Sequence, residues 1–283
     1  MRRADISEEI KLKVIFNYLE KKMSLINSGK EFGLTQRNVE AILKEYNVKK
    51  RTYTEAKQLS RKYPCNDDYF KVQSHNMAYI LGLLAADGSV SLKENLISIQ
   101  LKKEDKQLLE QIRLEVQSQR PISDYDGKKD TISTLRVWSK TWKDDLAHYG
   151  IIPKKTFTLQ PPLLLSKQYI IDYIRGYFDG DGSIYQIKSE NRVFVEIAGV
   201  CRQEINWIRD HLINTYYIIP NKETTEQKEN GTIIYKIKIG DKNEINKLYH
   251  LFYDNNSLFL ERKKEKFELL LNIPRDSNSL DEE

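Results

Sequence analysis

The sequence predicts an α+β chain, with a small all-α unit followed by two pseudo-symmetric αββαββα repeats built on antiparallel sheets. Three observations carry that expectation. The segment Ala78–Val90, AYILGLLAADGSV, returns 94 positions later as Asp172–Ile184, DYIRGYFDGDGSI, with six of thirteen columns identical. Those columns are Tyr79/Tyr173, Ile80/Ile174, Gly82/Gly176, Asp87/Asp181, Gly88/Gly182 and Ser89/Ser183, where chance would give about one, and a fixed period between like segments signals a duplicated architecture. The apolar spacing after each copy runs through strand and helix in the same order, whereas residues 1–50 show helical spacing alone.

The elements follow in chain order. Ser7 caps a first helix whose apolar positions are Ile10, Val14, Ile15, Tyr18 and Leu19. A second short segment, Ser24–Phe32, ends at Gly33, and Thr35 caps a third through about Tyr46, with Val39, Ile42 and Leu43 turned inward. Short helix, glycine-containing turn and capped helix make a helix-turn-helix pattern, which would aim Gln36, Arg37 and Asn38 at a major groove. The alternative is a small helical bundle that binds another protein. Residues 51–74, rich in Lys, Arg, Tyr and Ser, read as a basic linker.

In the first repeat (75–152), Asn95–Leu101 alternates, with Ile97, Ile99 and Leu101 on one face. A helix around 104–116, a strand around 131–138 and a helix around 140–149 follow. After a linker (153–168), the second repeat (169–273) places strands at 193–197 and 232–239 and helices at 203–216 and 243–253. A last amphipathic helix, 258–271, is expected to carry Arg262, Lys263, Lys264 and Lys266 on its wet side. The acidic end, 274–283, reads as a disordered tail.

Composition excludes several classes. With 40% apolar and 31% charged residues, the chain can bury a core, yet no apolar run approaches bilayer length and the start lacks a secretion signal. An intracellular protein, cytoplasmic or nucleoid-associated, is expected. Cys65 and Cys201 lie far apart, and His75, His148, His211 and His250 include no i, i+4 pair, which argues against a zinc site or a disulfide framework. The net charge is +5, and residues 1–60 alone hold 13 Lys/Arg against 8 Asp/Glu, a weak pointer to a polyanionic partner.

The repeated segment carries the chemistry. On a helix, Gly82 and Ala86, like Gly176 and Gly180, share one face, and small residues at that spacing let two backbones approach closely. Asp87 and Asp181 fall in the last turn, where the helix dipole disfavours negative charge by a few tenths to about 1 kcal/mol. Two such helices packed in parallel would also bring the carboxylates together, an arrangement that a cation resolves. Oxygen ligands with room for water and phosphate suit Mg²⁺ and phosphodiester hydrolysis. The plainer alternative makes Gly88 and Gly182 simple helix caps.

Ile80–Gly88 (ILGLLAADG) and Ile174–Gly182 (IRGYFDGDG) both resemble the LAGLIDADG motif. The resemblance to that homing endonuclease family runs from Met77 to about Leu271 and includes NSLFLERKKEKF near the end. It implies a monomeric, single-chain pseudodimer with the motif helices at its interface and saddle-shaped sheets over double-stranded DNA. It implies two or three Mg²⁺ ions, replaceable by Mn²⁺, on Asp87 and Asp181 with the carbonyls of Ala86 and Gly180. Lys238 and, more loosely, Arg136 match the basic groups that family sites use around the metals; phosphate contact or plain solvation is their alternative. The outward strand residues expected to read DNA are Ser91, Lys93, Ser98, Gln100 and Lys102, then Tyr185, Lys188, Arg192, Glu196, Lys236 and Lys238.

The sequence departs from the motif at its sixth position, Asp179 in the second copy but Ala85 in the first, which makes unequal half-sites an expectation. Arg175 and Tyr177 are larger and more polar than usual, so the second helix is expected to be less buried there. The activity implied is Mg²⁺-dependent double-strand cleavage at one long site, spreading the enzyme's own intron or intervening gene, with the helix-turn-helix lengthening the site. A catalytically silent DNA-binding regulator and an intron RNA maturase are the alternatives. The opening at Met1, without a nucleophile-first splicing segment, disfavours an intein-embedded nuclease.

Overall fold

The computed structural model describes residues 6–271 except 54, 57–60, 128, 129 and 191, so the expected acidic tail lies outside the described residues. The chain divides into two compact units, Met1–Pro64 and Cys65–Glu283.

The first unit holds α1 (Glu8–Leu19), α2 (Leu25–Lys30) and α3 (Gln36–Glu45). Ser7, Ser24 and Thr35 accept the backbone N–H of Ile10, Asn27 and Asn38, satisfying a donor that each helix start leaves open. Val14, Tyr18, Val39, Ile42 and Leu43 form its core together with Ile6 and Leu34. Leu19, expected on the buried stripe, is exposed. Gly33 adopts φ +64° between α2 and α3, a backbone that residues with a Cβ rarely take.

The second unit repeats one plan. Helix α4 (His75–Asp87) runs into β1 (Gly88–Val90), β2 (Leu96–Lys102), α5 (Lys106–Glu115), β3 (Ser123–Asp126), β4 (Thr131–Trp138) and α6 (Lys140–His148). Helix α7 (Ile170–Asp181) runs into β5 (Gly182–Ile187), β6 (Arg192–Gly199), α8 (Arg202–Asn214), β7 (Lys222–Gln227), β8 (Ile233–Ile239) and α9 (Lys242–Tyr253), with α10 (Glu261–Leu271) after it. Both sheets are four-stranded and antiparallel, ordered β1-β2-β4-β3 and β5-β6-β8-β7. Ile97, Ile99 and Leu101 face the core, as do Val195, Ile197, Ile237 and Ile239, and the helices cover that side of each sheet.

The segment expected to be a basic linker, 51–74, differs from residue 65 onward. Tyr69 and Phe70 are buried, Phe70 lies edge-on to Trp142 at 4.9 Å, and the Tyr69 hydroxyl donates to Glu115. Residues 65–74 therefore belong to the second unit, because two aromatic rings outweigh the polar residues around them. Among the described residues no helix is long and apolar enough to cross a membrane.

Candidate active site

Helices α4 and α7 make the most extensive helix contact in the chain, and glycine permits it. A Cβ on Gly82 would lie 2.0 Å from Tyr173 O, and one on Gly176 would lie 2.0 Å from Tyr79 O. Each glycine rests on the other helix's backbone, a two-fold arrangement. The contacts advance together, from His75 Nδ1 to Asp172 Oδ2 (2.7 Å) at one end to Gly180 against Ala86 at the other. The helices are therefore parallel and end side by side. Gly88 and Gly182 do cap their helices, their N–H groups donating to Leu84 O and Phe178 O, but without left-handed backbone: φ is −76° and −92°. A Cβ there would instead strike the preceding turn, 2.5 Å from Leu84 O and 2.1 Å from Phe178 Cδ2, so close packing accounts for these two glycines.

At the shared end a Cβ on Gly180 would stand 3.3 Å from Asp87 Oδ2, which places the Asp87 carboxylate beside the residue preceding Asp181. Each aspartate stays open to water on one side, while crowding protein on the other raises its carboxyl above the ordinary range. Burial and then the Asp87 charge push Asp181 up to about 6.

Two ammonium groups approach this corner from behind. Lys155 Nζ donates to Ala85 O (2.7 Å) and Ala86 O (2.8 Å). Lys263 Nζ donates to Asp179 O (2.8 Å), Gly182 O (2.7 Å) and Phe178 O. Each lysine thus satisfies the open carbonyls at the end of one motif helix, where the dipole favours a cation. Burial lowers both, Lys263 to about 8.

Neither lysine was singled out by its sequence. Lys263 was expected on the wet side of the last helix but is 5% exposed. The signal was there, since Lys263, Phe267 and Leu270 stand at i, i+4 and i+7 and all three are buried. Lys155 begins a three-residue 3₁₀ turn, Lys155–Phe157, after a left-handed Lys154, and nothing in its neighbourhood marks it.

The second helix is also not less buried. Arg175 and Tyr177 are 0% and 2% exposed, because Arg175 Nη1 reaches Asp172 Oδ1 (2.9 Å) and Phe252 O (3.3 Å), with its guanidinium over the Tyr79 ring.

The outward sheet faces hold the remaining predicted residues. Ser89, Ser98 and Arg136 form one cross-strand row, and Ser183, Glu196 and Lys238 form the matching row in the second sheet. Arg136 and Lys238 therefore occupy equivalent places, each two strands away from the strand that continues from its aspartate. Arg136 donates to Ser123 Oγ (2.6 Å), whereas Lys238 Nζ sits 3.9 Å above the Phe194 ring.

Several of these side chains are less open than expected. Ser98 is 7% exposed and shares a hydrogen bond with Ser89 Oγ (2.8 Å). Glu196 lies 3.3 Å from Lys236 Nζ and accepts from the Tyr185 hydroxyl (3.2 Å). Lys102 pairs with Asp130 (3.2 Å), and the Tyr125 hydroxyl reaches Gln100. Arg192 stacks its guanidinium 5.0 Å from the Phe194 ring, and Lys188 heads the 3₁₀ turn after β5. Ser91 caps the turn at Glu94 N (3.1 Å), and Lys93 is exposed beside it. In the first unit Gln36 and Arg37 are exposed. Asn38 Oδ1 differs, being committed to Thr35 N (3.1 Å) in a capping box.

Residues 74–141 match the family model described as a LAGLIDADG-like domain. The chain carries a LAGLIDADG-like domain. The second motif helix and its sheet repeat the plan of that domain in the same strand order. An uncharacterized protein of Methanocaldococcus jannaschii is 28% identical over 141 residues, 47% of this chain. The match takes in 51% of that protein, so the chain spans about half the length of the curated relative it matches. Among solved structures, the I-LtrWI LAGLIDADG homing endonuclease bound to target DNA is similar at 16% identity and TM-score 0.43, over 73% of this chain and 90% of that one. Full-length DUF199/WhiA from Thermotoga maritima is similar at 15% identity and TM-score 0.44, over 75% and 67%.

The donors of the LAGLIDADG-like domain fit a hard divalent cation. The Asp87 and Asp181 carboxylates converge there, while Ala86 O already accepts from Lys155 Nζ (2.8 Å). Among the described residues no group of three or more His, Cys, Asp or Glu is placed to hold a metal ion, so the side-chain donor set here is the two carboxylates alone. Such a set leaves coordination positions for water and phosphate, as Mg²⁺ prefers.

Proposed function

We propose that the chain is a metal-dependent endonuclease that hydrolyses both strands of double-stranded DNA, a homing endonuclease acting as a single-chain pseudodimer. One observation carries the reading: a parallel helix pair that sets Asp87 and Asp181 together at its end, each helix terminus backed by a lysine, Lys263 buried and Lys155 half-buried. A scaffold that only bound DNA would gain nothing from two mutually repelling carboxylates.

Asp87 and Asp181, with the carbonyl of Gly180, would hold Mg²⁺ or Mn²⁺; Ala86 O, the other expected carbonyl ligand, is engaged by Lys155 Nζ (2.8 Å). When bound, the metal supplies charge neutralisation at the phosphate and a more acidic water. The protein's part is electrostatic. Lys155 and Lys263 are anchored cations aimed at the corner where negative charge would develop, and they need little reorganisation to act there. A lysine lowered to about 8 also releases a proton more readily than an ordinary one.

The two outward sheet faces are the proposed DNA surface. Arg136, Lys102, Lys238, Lys236, Arg192 and Lys188 supply phosphate contacts, and Gln100, Tyr185 and Glu196 supply base-edge contacts. Arg37 and Gln36 of the first unit make a second recognition module, and the intron-spreading role follows from a long site.

The test is cleavage of a DNA library in Mg²⁺ by wild type and Asp181→Asn side by side. Specific double-strand cutting that vanishes in the variant while binding persists supports the reading. Tight, specific binding with no cutting by wild type overturns it in favour of a DNA-binding regulator. Preference for folded intron RNA over duplex DNA favours a maturase.

A further inference from the structure

The two halves place their lysines by different means, and Asp179 is the difference. Its side chain is 1% exposed in the interior of the second half. Oδ2 accepts from the Tyr79 hydroxyl (2.7 Å), contributed by the other motif helix, and from the backbone N–H of Leu260 (2.8 Å). Leu260 is the residue on which α10 starts, since its carbonyl accepts from Lys263 N (3.0 Å) and Lys264 N (3.2 Å). The carboxylate therefore ties down the first turn of the helix that carries Lys263. Lys263 Nζ returns to the same stretch of α7 through Asp179 O, Gly182 O and Phe178 O. Backbone and side chain are both fixed, with Asp179 holding the former and the end of α7 the latter.

The first half lacks this anchor. Its corresponding residue is Ala85, and Tyr173, the counterpart of Tyr79, donates instead to Glu204 (2.8 Å). Lys155 is held by its own two hydrogen bonds to Ala85 O and Ala86 O, on a three-residue turn that includes a contact between Thr156 O and Cys201 Sγ (3.3 Å).

We infer that Asp179 is a positioning residue that acts through Leu260 and α10 to set Lys263, so that losing it impairs one of the two strand cuts selectively. The inference rests on the nuclease reading for its effect on cleavage but not for its effect on Lys263 itself. A carboxylate bond to a backbone N–H at a helix start is charge-assisted and geometrically strict. Displacing a cation from its preorganised place costs transition-state stabilisation without abolishing it.

The experiment follows both strands of one duplex with separate end labels, for wild type, Asp179→Asn, Asp179→Ala and Tyr79→Phe. Asp179→Asn keeps the shape of the side chain, and Asp179→Ala copies the first half. Asp179→Ala should slow one strand about 10- to 100-fold, leave the other within about threefold, and accumulate nicked duplex, whereas Asp179→Asn, whose amide oxygen can still accept from Leu260 N–H, should fall between it and wild type. Tyr79→Phe, which keeps the Leu260 bond, should change the strand ratio far less.

In parallel, acetylation of Lys263 and Lys155 is quantified by mass spectrometry on the same folded proteins. Labelling of Lys263 should rise at least about tenfold in Asp179→Ala while Lys155 stays at the wild-type rate. Equal slowing of both strands, or unchanged Lys263 labelling, overturns the inference. If wild type cuts neither strand the nuclease reading falls, and the labelling alone still decides whether Asp179 positions Lys263.

Discussion

Gly82→Ala tests the architecture at its tightest point. The added Cβ would stand 2.0 Å from Tyr173 O and 2.8 Å from Tyr177 N, both backbone atoms. Ordinary contact begins near 3.4 Å, so the helices must part by about 1.4 Å because no side chain can swing aside. Overpacking that a core relieves by repacking costs about 1–3 kcal/mol. Here the strain falls on the contact between the two halves, so about 3 kcal/mol is expected. For a unit of this size that lowers the melting temperature by about 6–12 °C. Trp138, Trp142 and Trp207 all lie in the Cys65–Glu283 unit, so tryptophan fluorescence follows its unfolding and not that of the first unit. Gly176→Ala meets the same 2.0 Å contact from the other side and should match it. Parting the helices also separates Asp87 from Asp181, so any DNA cleavage should fall by about 100-fold at temperatures where the variant is still folded. A melt within about 1 °C of wild type for either variant, or unequal effects of the two, would refute the two-fold close-contact argument.

Asp181, pushed up to about 6, favours its protonated form in the folded state. Its contribution to stability is thus present below the unfolded value of 3.8 and lost as pH rises through about 6. Thermal melts without metal should therefore show Asp181→Asn gaining on wild type as pH climbs from 4 to 7. Added Mg²⁺ should stabilise wild type above pH 6 and leave the variant unmoved; stabilisation of the variant by Mg²⁺ would count against that ligand assignment. Asp172→Ala strands the buried Arg175 charge and should cost about 3–5 kcal/mol, and Arg175→Leu, which leaves Asp172 its bond to His75, should cost less. The double variant copies Ala78 and Leu81 of the first half and should cost at least about 2 kcal/mol less than the two singles added; additivity in denaturant titrations would show that the pair is not coupled.

The sequence displayed much of this fold because its periodic signals are strong. Val39, Ile42 and Leu43 repeat at helical spacing, Ile97, Ile99 and Leu101 alternate, and Thr131–Trp138 has the bounds that its pattern implied. Of the strands that went unmarked, the two outer ones, β3 and β7, carry no such pattern, while β1 and β5 run straight on from the motif helices. β3 is SDYD and β7 is KETTEQ, each almost wholly exposed, and they exist because β4 and β8 offer them a hydrogen-bonding edge. Asp87 and Asp181 were legible as a duplicated, electrostatically unfavourable feature. Lys155 was not, because its place depends on a chain reversal outside any periodic element. Lys263 sits among Arg262 and Lys264, and only the helical phase set by Phe267 and Leu270 distinguishes it.

The pattern of identity between the two motif copies has a physical logic. Gly82 packs on Tyr173 O as Gly176 packs on Tyr79 O, so the two-fold contact makes the same demand of both helices. Asp87 and Asp181 meet at one corner and share any cation there, which again imposes one residue type twice. Freedom to differ lies beside that contact, where the side chains of α7 reach α4 as well as their own half. There α4 has Ala78, Leu81 and Ala85 where α7 has Asp172, Arg175 and Asp179, and the latter bind Phe252 O, Leu260 N and each other. The polar stripe thus couples α7 to the end of α9 and the start of α10, attachments for which α4 has no acceptor or donor at the same places. A chain built this way keeps its two carboxylates paired while holding the cations behind them with unequal rigidity, which under the proposed nuclease reading favours two strand cuts of unequal rate.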